Sequence, residues 1–129
     1  MSSPRDAHRS RMPMRREDVR TERDIREYLA GWSEFERDVY VAASKIPEGK
    51  VTTYGRLAKA AGRPGAARAV ANAMHDNPLY PLVPCHRVVK ADGGFGGDPK
   101  RAGARRRHVV DEGVPVKDGK VVMTDDVLY

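Results

Sequence analysis

At 129 residues with 40% hydrophobic content, the chain carries enough apolar material for one compact domain. A formal net charge of +6 and a pI near 9.7 favour a polyanionic partner such as nucleic acid, and no apolar run approaches the roughly 20 residues needed to cross a bilayer. The arginine-rich N-terminus has no hydrophobic segment, which excludes a secretory signal, and a lone cysteine excludes an internal disulfide, so a soluble protein of the reducing cytoplasm is expected.

Residues 1–16 set Arg5, Arg9, Arg11, Arg15 and Arg16 against a single acid, Asp6, and read as a disordered basic tail. Residues 17–32 form a short N-terminal helical segment, in which Ile25, Tyr28, Leu29 and Trp32 recur on one face. The remaining span, 33–129, reads as the main domain. It opens on a capping box, Ser33-Glu34-Phe35-Glu36, followed by an apolar stripe of Phe35, Val39, Ala43 and Ile46 that Pro47-Glu48-Gly49-Lys50 ends. Val51 and Thr52 suggest a brief extended segment. Thr53 can cap a helix over 54–61, closed by Gly62, and Pro64 opens a third helix running to about His75. Two short helices about a glycine-containing turn spell a helix-turn-helix. The third helix is nearly bare, with Ala66, Ala67, Ala69, Ala71 and Ala73 around one long cation, Arg68, so it can approach a narrow minor groove closely.

Pro84-Cys85-His86-Arg87 follows an apolar run and reads as a strand leading into Val88-Val89. Next comes a glycine-rich loop, 92–99, whose spacing matches neither a dinucleotide nor a phosphate-loop fingerprint. A basic helix over 101–111 contains Arg105-Arg106-Arg107. Val114-Pro115-Val116 and Val121-Val122-Met123 flank an Asp-Gly turn as a hairpin. The fold class expected is mostly α: a winged helix-turn-helix DNA-binding domain with a small β-hairpin wing.

The chemistry concentrates at the lone cysteine. A thiol attacks as thiolate, so a base beside it separates a reagent from a small buried hydrophobe. His86 is that neighbour. A zinc site is not expected, because Cys85 and the histidines His8, His75, His86 and His108 lack close ligand spacing.

Val51-Thr52-Thr53-Tyr54-Gly55-Arg56-Leu57-Ala58, Ala67-Arg68-Ala69-Val70, Asn77-Pro78, Leu82-Val83-Pro84-Cys85-His86-Arg87-Val88-Val89 and Asp111-Glu112-Gly113 together resemble the C-terminal domain of 6-O-alkylguanine-DNA alkyltransferases, over roughly 34–116. The resemblance implies a monomer that binds double-stranded DNA through its helix-turn-helix, flips out 6-O-alkylguanine and keeps the alkyl group on Cys85, once per molecule and with no cofactor. It implies His86 as the group that takes the thiol proton through a water, Glu112 as the carboxylate orienting it, and Asn77 as the brace of the cysteine turn. Tyr54 would lie at the flipped nucleotide, and Arg68 would fill the gap in the duplex. Arg87, Val88, Phe95 and Gly96 are placed with the DNA- and base-binding residues.

Two departures stand out. The family generally carries a further N-terminal domain, for which 1–32 is too short, so its contribution is expected to be missing or supplied in trans. Where the family shows a tyrosine-serine-glycine run, this chain offers Phe95-Gly96-Gly97, which leaves the Gly96 amide able to donate to the guanine oxygen; an ungapped register would place Pro99 there, with no amide. The alternative function is a non-catalytic lesion sensor that binds alkylated DNA and recruits nucleotide excision repair proteins, although Cys85 stands where sensors resemble the family with the nucleophile replaced. A winged-helix transcription regulator would need long polar side chains aimed at base edges, which the alanine-rich helix does not supply.

Overall fold

Residues 14–129 are described by the computed structural model, so most of the expected basic tail, with Arg5, Arg9 and Arg11, lies outside the described residues. What is described of that tail is anchored: Met14 packs against the main core, and Arg16 donates to the Tyr80 carbonyl at 2.6 Å. The first helix, α1 (Glu22–Tyr28), starts at a capping box of Thr21 and Asp24. It stops short of Trp32, whose ring instead meets Tyr40 edge-on at 5.8 Å. Val19, Ile25 and Leu29 share one core with the residues that follow, so segment 17–32 is part of the same packing unit as the domain behind it.

Helix α2 (Glu34–Ser44) carries the expected Ser33–Glu36 capping box, worth about 1 kcal/mol, and buries Val39, Tyr40, Val41 and Ala43. Asp38 on its flank accepts from Arg26 at 2.9 Å and Arg63 at 3.1 Å, which ties α1 and the turn of the helix pair to α2. Strand β1 (Thr52–Thr53) runs into α3 (Tyr54–Ala60), capped by the Thr53 hydroxyl accepting from the Arg56 amide at 3.1 Å. Helix α4 (Ala67–His75) begins three residues after Pro64, because Gly65 takes a φ of +87° that no helix accommodates. The α3–α4 pair is the helix-turn-helix. Its inner face, with Leu57, Ala58, Val70, Ala73 and Met74, closes on α2, where the Tyr40 hydroxyl donates to the Ala73 carbonyl at 2.7 Å.

The cysteine segment is a one-turn 3-10 helix, Cys85–Arg87, where a strand was expected. Only then does the chain extend as β2 (Val88–Val89), pairing parallel with β1 in register Thr52 to Val88 and Thr53 to Val89. Helix α5 (Pro99–Asp111) starts with Pro99 in its first turn and Asp98 as its cap. The hairpin is β3 (Val116–Lys117) with β4 (Lys120–Val121), antiparallel, turning through Asp118 and Gly119 at φ 55° and 79°. It is shorter than the flanking valines suggested. Val51, Val89, Phe95, Val109, Val114, Val121 and Val127 make a second apolar cluster beneath the hairpin and the glycine-rich loop. No helix among the described residues is long and apolar enough to cross a membrane.

Candidate active site

The turn that carries Cys85 is held from two sides. Asn77, just after α4, donates from Nδ2 to the Val83 carbonyl at 2.6 Å and accepts from the Leu79 amide at 2.9 Å. The Cys85 amide donates to the same Val83 carbonyl at 2.9 Å, so one acceptor fixes both the brace and the cysteine backbone. Cys85 itself is half-buried and lines a cleft of about 240 Å³ with Met74, Asn77, Tyr80 and His86 on one side and Arg101, Ala104, Arg105 and His108 of α5 on the other. A larger hollow of about 700 Å³ lies across Tyr80, bounded by Arg16, Val19 and Leu82, but it holds no nucleophile.

His86 points away from solvent, with its side chain 4% exposed, and its Nε2 lies 2.8 Å from Glu112 Oε2. Glu112 caps the C-terminal end of α5. Burial alone would raise its carboxyl, but hydrogen bonds from Arg87 and His86 outweigh burial and hold it down to about 2. An ionised Glu112 requires the proton of His86 on Nε2, which leaves Nδ1 as the acceptor. Nδ1 is buried and has no hydrogen-bond partner among the described residues. Burial lowers the imidazole below its ordinary 6.5, against the upward pull of Glu112, so His86 is neutral at neutral pH. A neutral imidazole with one nitrogen pinned and the other unpaired has a free lone pair, the feature a general base needs.

Arg87, expected among the DNA contacts, is turned inward. Its guanidinium donates twice to Glu112, at 2.9 and 2.7 Å, and once to the Ile46 carbonyl at 2.8 Å. Those bonds occupy the side chain in holding Glu112 to the end of α2. Val88 is buried in the main core and pairs with Thr52 in the β1–β2 ladder. Phe95 is also drawn inward, into the second apolar cluster, and does not line the cleft.

Tyr54 and Gly96 do meet. A Cβ on Gly96 would collide with the Tyr54 hydroxyl, so only glycine lets the loop lie against that ring. Gly93 is the other forced glycine, with φ +88° and its missing Cβ 2.5 Å from the Val121 carbonyl oxygen. Arg68 stands exposed on α4 at the edge of a groove of about 560 Å³, floored by Ala67, Ala71 and Gly55 and walled by Tyr54, Lys90 and Gly96. His75 lines both this groove and the cysteine cleft, so the two hollows adjoin.

Three contributors carry no clear signature in the sequence. Arg105 is buried beneath the loop, donating to the Gly96 carbonyl at 3.1 Å and approaching the Tyr54 hydroxyl at 3.5 Å. Its spacing from Ala102 and Val109 placed it on the inward face of α5, a signal that the neighbouring Arg106 and Arg107 obscured. Tyr80 and His108 form a ring cluster with His86, at centroid separations of 5.5 Å for each contact with His86 and 5.8 Å between Tyr80 and His108. Neither had a local signature, because the cluster exists only once α5 folds back over the cysteine turn.

A helix-turn-helix presenting a bare helix, with a cysteine and a histidine–carboxylate pair at its edge, defines a DNA-binding domain that carries a candidate nucleophile. The profile of the family described as 6-O-methylguanine DNA methyltransferase, DNA binding domain, matches residues 34–114, and the chain belongs to that family. Among its relatives, the methylated-DNA–protein-cysteine methyltransferase of Mycolicibacterium paratuberculosis is 50% identical over 80 residues, covering 60% of this chain and 48% of its own. That of Salmonella typhimurium is 44% identical over 88 residues, covering 66% of this chain and 52% of its own. The chain therefore spans about half the length of these curated relatives. Among solved structures, Schizosaccharomyces pombe Atl1 in complex with damaged DNA containing O6-carboxymethylguanine superposes with a TM-score of 0.65 at 32% identity, covering 74% of this chain and 94% of Atl1. Mycobacterium tuberculosis OGT in complex with DNA gives 0.58 at 39% identity, covering 62% of this chain and 50% of OGT.

Proposed function

We propose that this protein repairs alkylated DNA by a single, irreversible transfer: it binds the duplex, draws 6-O-alkylguanine into the Cys85 cleft and takes the alkyl group onto its own sulfur. The observation that carries this reading is the unpaired Nδ1 of His86, whose ring is pinned through Nε2 to an ionised Glu112 beside the one cysteine of the chain. Cys85 makes no direct hydrogen bond to His86 among the described residues, so one water relays the thiol proton to Nδ1. The thiolate attacks the alkyl carbon from the side opposite the purine oxygen. The sulfur–carbon bond forms as the carbon–oxygen bond breaks, and the bonding pair stays on the guanine oxygen. The proton held by His86 passes to guanine N1, giving ordinary guanine and an S-alkylcysteine.

The rest of the site serves that step. Asn77 fixes the turn so that the sulfur faces the cleft, and Arg87 and Glu112 fix the imidazole. Extrusion of the base is required because the oxygen cannot be attacked inside the stack. Helix α4 lies in the minor groove with Arg68 inserted in the vacated space, Tyr54 lines the path of the flipped nucleotide, and Gly96 donates its amide near the guanine oxygen. The protein acts as a monomer.

Intact-mass spectrometry after incubation with excess duplex carrying 6-O-methylguanine tests the proposal. The protein should gain one methyl group, on Cys85, and Cys85→Ser should gain none. Tight binding to the lesion with unchanged mass would instead make the protein a sensor that hands the lesion to excision repair.

A further inference from the structure

We infer that the Cys85 cleft is built to accept guanine adducts whose 6-O substituent carries a negative charge, an inference that rests on the alkyl-transfer reading above. Arg105 is 7% exposed yet has no carboxylate partner among the described residues. Burying a guanidinium without a counter-charge is costly, and few groups here compensate it. Its contacts are the Gly96 carbonyl at 3.1 Å and the Tyr54 hydroxyl at 3.5 Å, both through Nη1. Nε and Nη2 carry no hydrogen bond among the described residues, and the side chain is part of the cleft lining.

The surroundings reinforce that charge. Arg101, one turn earlier on α5, lines the same cleft and is held only loosely, 3.8 Å from Asp98 Oδ2. His75, His86 and His108 also line the cleft, and no aspartate or glutamate does. The carboxylate behind His86, that of Glu112, is already neutralised by Arg87.

A cationic lining answers a specific chemical difficulty. The sulfur arrives as an anion, and an adduct such as carboxymethyl carries a second anion on the very carbon under attack. In a partly dewatered cleft the two charges repel strongly at a few ångström, and a guanidinium lining the same cleft offsets the repulsion. The step is otherwise that of methyl transfer. The sulfur–carbon bond replaces the carbon–oxygen bond, the pair goes to the guanine oxygen, and the thiol proton reaches guanine N1 by way of His86. A DNA phosphate is the other anion that could meet Arg105, but the exposed Arg68 and Lys90 line the adjoining groove along α4, which suits the backbone.

The test compares two adducts of equal shape, 6-O-carboxymethylguanine and its neutral amide, 6-O-carbamoylmethylguanine, in one duplex sequence. Single-turnover transfer rates are measured for the wild type, Arg105→Gln and Arg101→Ala, with a 6-O-methylguanine duplex as reference. The ratio of carboxymethyl to carbamoylmethyl rates should fall about tenfold in Arg105→Gln and about threefold in Arg101→Ala, as expected for losing a shielded and a solvent-weakened charge. Taken within one variant, the ratio cancels any loss of folded protein. Should Arg105→Gln yield no folded protein, the Arg101→Ala ratio decides. Ratios equal to the wild type overturn the inference and leave a phosphate contact as the role of Arg105. Failure of the wild type to take methyl from the reference duplex would refute the alkyl-transfer reading instead.

Discussion

Arg87 grips Glu112 through two parallel hydrogen bonds, Nε to Oε1 at 2.9 Å and Nη2 to Oε2 at 2.7 Å, and that same Oε2 lies 2.8 Å from His86 Nε2. Neighbours in sequence thus share one carboxylate, and the arginine fixes the oxygen that fixes the imidazole. Arg87→Met should lower stability by about 3 kcal/mol, as when one member of a largely buried pair is removed. Denaturant unfolding would measure it. The salt dependence of duplex binding should be unchanged; a slope reduced by about one would restore a phosphate contact to Arg87.

The pH dependence follows from the same trio. His86 must be neutral to take a proton, and burial holds its pKa below 6.5, so methyl transfer should rise through the acid range and level off before neutrality. Glu112 pulls that pKa upward, so Glu112→Gln should shift the rise to still lower pH and depress the plateau about a hundredfold, the scale of general-base assistance. Rapid-quench transfer rates from pH 5 upward provide the check, and an unshifted profile would detach Glu112 from the base. Stability has its own acid signature. The carboxyl of Glu112 is depressed from 4.5 to about 2 by folding, so its contribution is complete above 4.5 and fades as pH falls toward 2.

Asn77 is predicted to matter through geometry alone. Asn77→Ala removes the donor to the Val83 carbonyl and the acceptor for the Leu79 amide, and should cost about 1–3 kcal/mol. The transfer rate, measured on protein shown by circular dichroism to be folded, should fall as well. A variant with lower melting temperature but wild-type rate would mean that the turn keeps its shape unaided.

Gly96→Ala sets a methyl group against the Tyr54 hydroxyl. The substitution should destabilise the fold by about 1–3 kcal/mol, the usual cost of overpacking. In a Tyr54→Phe background the loss should shrink by more than half. Equal losses in the two backgrounds, read by denaturant titration, would show that the loop yields elsewhere.

Arg68 stands exposed at the groove edge. Arg68→Ala should slow reaction with alkylguanine in duplex DNA far more than reaction with the free alkylated base. Parallel kinetics on the two substrates test this, and equal losses would remove the residue from base extrusion.

Local signals in the sequence were enough for the capping box at Ser33, the cap at Thr53, the helix pair and the Asp-Gly hairpin, because each depends on residues a few positions apart. The Cys85–His86 unit was legible for the same reason. Its orientation was not: the 3-10 turn is held by the Asn77 side chain and by the β1–β2 pairing, and the pairing reaches across the whole helix pair. Arg87 and Phe95 look like outward-facing residues in a linear reading, and only the position of Glu112 and the second apolar cluster draws them inside. Arg105 was hidden for the opposite reason, since a triple-arginine run reads as surface while one of its members faces inward.

Strands β1 and β2 are two residues each, yet their pairing joins the cap of α3 directly to the segment following the cysteine turn. On the proposed function, grip and reaction are thereby machined into a single part. A displacement of the helix pair along the duplex carries the sulfur with it, so aim cannot be adjusted independently of footing, and any drift in how such a domain seats on its substrate has to be matched by a compensating change around the thiol.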